Sequence, residues 1–240
     1  MSGFVQNGST NSVANGTNQP TITGVTAGDT LICAYHVYDA ITLAAPTDSA
    51  GQTWTLRVSG NGQGQSIAIA YLLSANAGTH TLTWATTPDA STAGISEWSG
   101  ITGVGGTGVT SFNAAATSAT SSSYTPGSSS EVVIAVCGET GSATNDAIHC
   151  TTTGFQSIGS LSDSTAHSCW VVQQNGATYE VFEANAQIIS SASALTCSWA
   201  WTPSLTSATA VAGFTYSATS TIYTPFRQKL VFVNDVNTQF

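Results

Sequence analysis

Charge is what this chain has least of. Only 6% of its 240 residues are Asp, Glu, Lys or Arg, against about 25% in an ordinary globular domain. The basic residues are Arg57, Arg227 and Lys229 alone, and the acids leave a formal net charge of −9. Nucleic-acid binding draws most of its affinity from Lys and Arg set on phosphates, so that class of function is set aside, and so is an anionic membrane surface for the same reason. No apolar run approaches the roughly 18 residues of a membrane span. Apolar residues at helical spacing between charged faces are also missing. The opening stretch MSGFVQNGSTNSVANG has neither the basic nor the apolar region of an export signal. Cysteine is odd in number: Cys33, Cys137, Cys150, Cys169 and Cys197, with no C-x-x-C spacing. That argues against a zinc site and against a fully paired disulfide framework. No metal and no cofactor is expected.

What is present is apolar and β-forming. Hydrophobic residues make up 41%, including six Trp, seven Tyr and eight Phe, which are large bodies that favour burial. Solubility must come from Ser, Thr, Asn, Gln and Gly. HTLTWAT (80–86) alternates, with Leu82 and Trp84 on one face and Thr81 and Thr83 on the other. LTCSWAWT (195–202) repeats the pattern with Leu195, Cys197, Trp199 and Trp201. This is the period of a half-buried strand. The fold class expected is all-β and antiparallel.

The phrase WATTP (84–88) returns as WAWTP (199–203), and the likeness extends outward. VTAGDTLICAY (25–35) matches YTPGSSSEVVIAV (124–136), with Gly28 against Gly127. QSIAIAYLL (65–73) matches TYEVFEANAQI (178–188), and TAGISEWSG (92–100) matches ATAVAGFTYS (208–217), with Trp98 against Phe214. A repeat of about 100 residues is the size of a β-sandwich. Two tandem domains are expected, 1–102 with an N-terminal arm and 103–217, meeting in the glycine-rich GITGVGGTGVT (100–110). Both Trp phrases are expected to run into a Pro-containing turn, at Pro88 and Pro203. Residues 218–240 have no counterpart in the first copy. The run KLVFVND in this segment, left unpaired, would be a liability. It is therefore expected to pair with an edge of its own domain or with another subunit, and docking on a subunit would use Phe226, Arg227, Lys229, Leu230 and Phe232.

VTAGDTL, PTDSAGQTWTLRV, YLLSANAGTHTLTW and ISEWSG together resemble the Ig-like or jelly-roll β-sandwich modules of bacteriophage virion proteins and of some bacterial surface proteins. Asp48, Gly51 and Trp54 fit that family's hairpin, and Glu97, Ser99 and Gly100 fit its closing motif. The likeness covers most of 20–102 and, more weakly, 117–217, where GFTYS lacks the acid. It implies a structural role and no shared enzymatic activity. The expectation is a non-enzymatic virion protein on the particle surface, of the capsid-decoration or head-fibre type. Its partners would be other virion subunits and further copies of itself. The alternative is a tail-associated or cell-surface adhesin that binds a host glycan. An extracellular-looking composition without an export signal fits a particle released by lysis. It also fits a non-classical export route, or a chain whose signal has been removed.

Each candidate site has a plainer reading. Asp48 suits calcium less well than a hydrogen bond to its own turn, since no oxygen-ligand motif surrounds it. Glu97 beside Trp98 reads as a structural acid, and alternation sends one of the two away from the core. Glu180 and Glu183 fall on opposite strand faces, which discounts them as a glycosidase pair. His36, His80, His149 and His167 show no metal spacing, and no G-x-S-x-G elbow supports a Ser-His-Asp triad. No catalytic residue is assigned. Cys33, Cys137 and Cys197 read as small core residues, and Cys150 with Cys169 is the pair to test for a disulfide. Trp84, Trp199 and Trp201 are expected in the core. Trp98 and Tyr179 remain as a ligand surface, with Trp54 and Tyr223 as weaker members.

Overall fold

The computed structural model describes residues 3–9, 11–86, 88–142, 148–158, 171–175 and 178–217. Every regular element among them is a β-strand. The first nine are β1 (Phe4–Asn7), β2 (Asn11–Ala14), β3 (Thr21–Val25), β4 (Thr30–Val37), β5 (Thr47–Asp48), β6 (Thr55–Gly62), β7 (Gln65–Leu72), β8 (Gly78–Thr83) and β9 (Ala90–Trp98). They form a six-stranded sheet ordered β1-β9-β4-β7-β6, with β2 also on β9, and a small sheet ordered β3-β8-β5.

The remaining strands are β10 (Ile101–Val104), β11 (Val109–Thr120), β12 (Glu131–Ser142), β13 (His149–Cys150), β14 (Gln156–Ser157), β15 (Val171–Asn175), β16 (Thr178–Ile189) and β17 (Ser198–Tyr216). All eight join one sheet with the path β10-β17-β12-β16-β14. Among the described residues no ladder joins a strand before Ser99 to one after it. The central pairings of the two halves correspond: β4 lies between β7 and β9, and β12 between β16 and β17, all antiparallel.

The two large sheets pack face to face. Ile32, Ala34, Ile67, Ile69 and Trp98 from the first share one core with Val132, Ile134, Val136, Phe182 and Phe214 from the second. Ala184, Ala186, Ala208, Ala210 and Ala212 let the backbones approach, and the aromatics fill what remains. The other face of β4 carries Leu31, Cys33, Tyr35 and Val37 into a second core with Trp54, Leu82 and Trp84. There Tyr35 stacks on Trp84 at 4.3 Å. A third core joins Val133, Ala135 and Cys137 to Tyr124, Ile148, Cys197, Trp199 and Trp201.

Because the large sheets are covered on both sides, β4 and β9 are buried along their whole length. Such strands read as nearly continuous apolar runs, as LICAYHV does. This corrects the expectation for residues 97 and 98, since neither points to solvent: both have no exposed surface. A polar belt crosses the shared core. His36 Nε2 lies 2.8 Å from Gln65 Oε1, and Gln65 Nε2 donates to Thr206 Oγ1 at 2.7 Å. Gly138 faces the His36 ring, and a Cβ at that position would collide with it.

The turn expected at Pro203 is also corrected. In the first half β8 ends before Trp84, and a loop carrying Pro88 leads to β9. In the second half one strand, β17, runs through Pro203. Proline is tolerated in a sheet where the ladder is broken. Here the β11 register jumps from Ala116 opposite Leu205 to Ser118 opposite Ala200. The break absorbs the missing N–H and lets β17 contribute Trp199 to the outer core and Phe214 to the shared one.

Candidate functional site

Four groups of polar side chains stand out. The first is the β5 turn. Asp48 Oδ1 accepts the Ala50 N–H at 2.9 Å, and Oδ2 accepts Trp54 Nε1–H at 3.1 Å. His80 Nδ1 lies 2.7 Å from the same Oδ2, and Nε2 lies 3.0 Å from the Asn76 carbonyl oxygen. Both side chains of the pair are fully buried. Both ring nitrogens thus face acceptors. A catalytic triad would aim Nε2 at a hydroxyl, and a carbonyl holds that position here. The turn role read for Asp48 is what the geometry displays.

The second and third groups are buried glutamates that hold a turn. Glu97 Oε1 accepts the Thr26 N–H at 2.7 Å, and Gln6 Nε2 donates to Oε2. Burial, then the hydrogen bond and charge of Glu97, pushes the Asp29 carboxyl above its ordinary range. In the second half the acid is Glu131. Its Oε1 accepts the N–H groups of Gly127 and Ser128 at 2.7 and 2.9 Å, and Oε2 accepts the Tyr124 hydroxyl at 2.5 Å. Burial, then Glu131, pushes the Tyr124 phenol up. Glu97 stands opposite Leu31 on β4, and Gly213 stands opposite Val133 on β12.

The fourth group lies on the outer side of the second half. A cleft of about 330 Å³ runs between residues 152–155 and 187–196. Thr152, Thr153, Gln187, Ser193 and Thr196 give it hydroxyl and amide groups, and Phe155 an aromatic face. None of its lining residues carries a charge. Beside it Cys150 Sγ and Cys197 Sγ lie 3.3 Å apart. Deeper in, Glu183 accepts Asn185 Nδ2–H at 3.0 Å, and Asn185 Oδ1 accepts Trp199 Nε1–H at 2.8 Å. Burial pushes the Glu183 carboxyl up to about 8 against the pull of that amide.

The residues singled out in the sequence scatter. Trp98 is corrected as a ligand surface: it is fully buried between the sheets, against Phe4 at 5.3 Å, because its strand is covered on both faces. Trp54 is buried as well. The Tyr179 backbone pairs with Gly141 and Gln174. Trp84, Trp199 and Trp201 lie in the cores, as their alternation predicts. Phe226, Arg227, Lys229, Leu230 and Phe232 lie outside the described residues, as do Tyr223 and Cys169. Cys150 instead meets Cys197. No spacing rule could have paired these two, since their contact depends on how β13 docks on β17. The cleft is not legible in the sequence either, because its Thr, Ser and Gln residues form no motif and come together only through folding. Among the described residues no three His, Cys, Asp or Glu side chains group in a way that could hold a metal ion.

No family model, curated protein or solved structure matches the chain.

Proposed function

We propose that the protein is a non-enzymatic structural component of a phage-like virion. In this reading it is two tandem Ig-like or jelly-roll sandwiches displayed on the particle as a capsid decoration or head fibre. The observation that carries it is the stack of sheets on a common apolar core, in a chain that is only 6% charged. A layered body of this kind suits a rigid spacer with a Ser/Thr-rich exterior. Its polar clusters are occupied in holding turns, as Asp48, Glu97 and Glu131 are. Segment 218–240 would add a strand to a neighbouring subunit, a main-chain mode of docking. The test is a protein lacking 218–240. It should fold with an unchanged thermal midpoint but fail to join particles, and normal incorporation would refute the docking role.

A second reading, a glycan-binding adhesin, is favoured by the cleft. Uncharged hydroxyl and amide groups beside one aromatic ring suit a neutral saccharide. Glycan-array binding by the whole protein that disappears in Phe155→Ala would support it. Binding unaffected by that change would remove the cleft from consideration.

A further inference from the structure

The Cys150–Cys197 contact has no part in either reading. The two residues are 47 apart in the chain, yet their sulfurs lie 3.3 Å apart. Both backbones are fastened. The Thr151 N–H donates to the Ser198 carbonyl at 2.8 Å, and the Ser198 N–H to Thr152 Oγ1 at 2.8 Å. On its other side Cys197 donates its N–H to Ser121 Oγ at 3.0 Å and accepts the Ser121 N–H at 2.8 Å. The thiols are therefore held in contact by the sheet. A disulfide is about 2.05 Å long, so closure needs an approach of about 1.3 Å, within reach of side-chain torsions.

We propose that Cys150 and Cys197 form a redox-active pair that closes to a disulfide on reaction with a low-molecular-weight disulfide. Cys150 is partly exposed and is the point of entry, while Cys197 is fully buried. The hydrogen bond between the two sulfurs holds the Cys150 thiol below its ordinary range, and burial holds Cys197 above it. The Cys150 thiolate attacks one sulfur of the reagent and expels a thiolate, leaving a mixed disulfide on Cys150. Cys197 then attacks the Cys150 sulfur and gives its proton to the departing reagent sulfur. The Cys150–Cys197 bond forms, and the second reagent thiol leaves. Two protein thiols are oxidised, and one reagent disulfide is reduced to two thiols. Cys33 and Cys137 are fully buried, and burial raises both, so they are spared. The new bond would tie the 151–155 segment to the entry of β17, fastening the two walls of the cleft.

The test equilibrates the whole protein with excess glutathione disulfide. Cys150 and Cys197 should both lose their thiols with no glutathione retained on either, and a linked peptide should contain the two. The thermal midpoint should rise by roughly 5 °C and fall back with dithiothreitol. Cys197→Ser should stop at a mixed disulfide on Cys150. Retention of both thiols would overturn the proposal, and so would a Cys150–Cys169 link or the absence of an adduct in Cys197→Ser.

Discussion

Glu131 occupies the space that a side chain at Gly213 would need. A Cβ at Gly213 would collide with Glu131 Oε2 and with the Tyr124 hydroxyl. In the first half the acid stands on the last strand, at Glu97, and holds Thr26; in the second it stands on β12 and holds Gly127 and Ser128. The task is conserved within the molecule while the strand that performs it has changed.

Gly213→Ala is therefore expected to destabilise by about 2–4 kcal/mol, combining overpacking with disturbed buried hydrogen bonds. Urea denaturation followed by tryptophan fluorescence measures it. A loss below about 0.5 kcal/mol, the level of an ordinary surface change, would mean that Glu131 is not held as described.

Glu183 gives a pH dependence of definite sign. Its folded carboxyl is raised from 4.5 to about 8, so the folded state keeps a proton that the unfolded state releases. The stabilisation is complete below about pH 4.5 and is lost as pH rises to about 8, on the order of 2–4 kcal/mol in all. Asp29, also raised, adds a smaller slope of the same sign. Urea titrations at about pH 5 and about pH 9 should differ accordingly, and Glu183→Gln should remove most of the difference.

Asp48→Ala leaves buried His80, Trp54 Nε1 and the Ala50 N–H without their acceptor, and should cost about 3–5 kcal/mol. Since the carboxylate is already occupied by protein donors, added calcium or a chelator should leave the thermal midpoint of the unaltered protein where it was. A calcium-dependent rise would restore the ligand role.

Gly138→Ala should cost about 1–3 kcal/mol by driving a methyl group into the His36 ring between the sheets. His36→Ala in the same chain removes the obstacle. The double variant should therefore lose less than the two single losses combined, as a double-mutant cycle measures. Additive losses would show that the two residues do not meet.

What the sequence determined by itself was local. Alternation at Leu82–Trp84 and Cys197–Trp201 specified strands and their buried faces, because side-chain direction in a strand follows residue parity. The internal likeness anticipated that β4 and β12 take the same place between the same neighbours. The tertiary structure decided which faces are covered. Packing of one large sheet on the other buried Trp98 and placed His36 against Gly138, although parity alone left a face of each strand free. It also brought Cys150 to Cys197 rather than leaving Cys197 a plain core residue, and it carried β17 straight through Pro203. Such contacts depend on the relative placement of elements distant in the chain. They arise from the burial of whole sheet faces, for which no short stretch of sequence carries a signal.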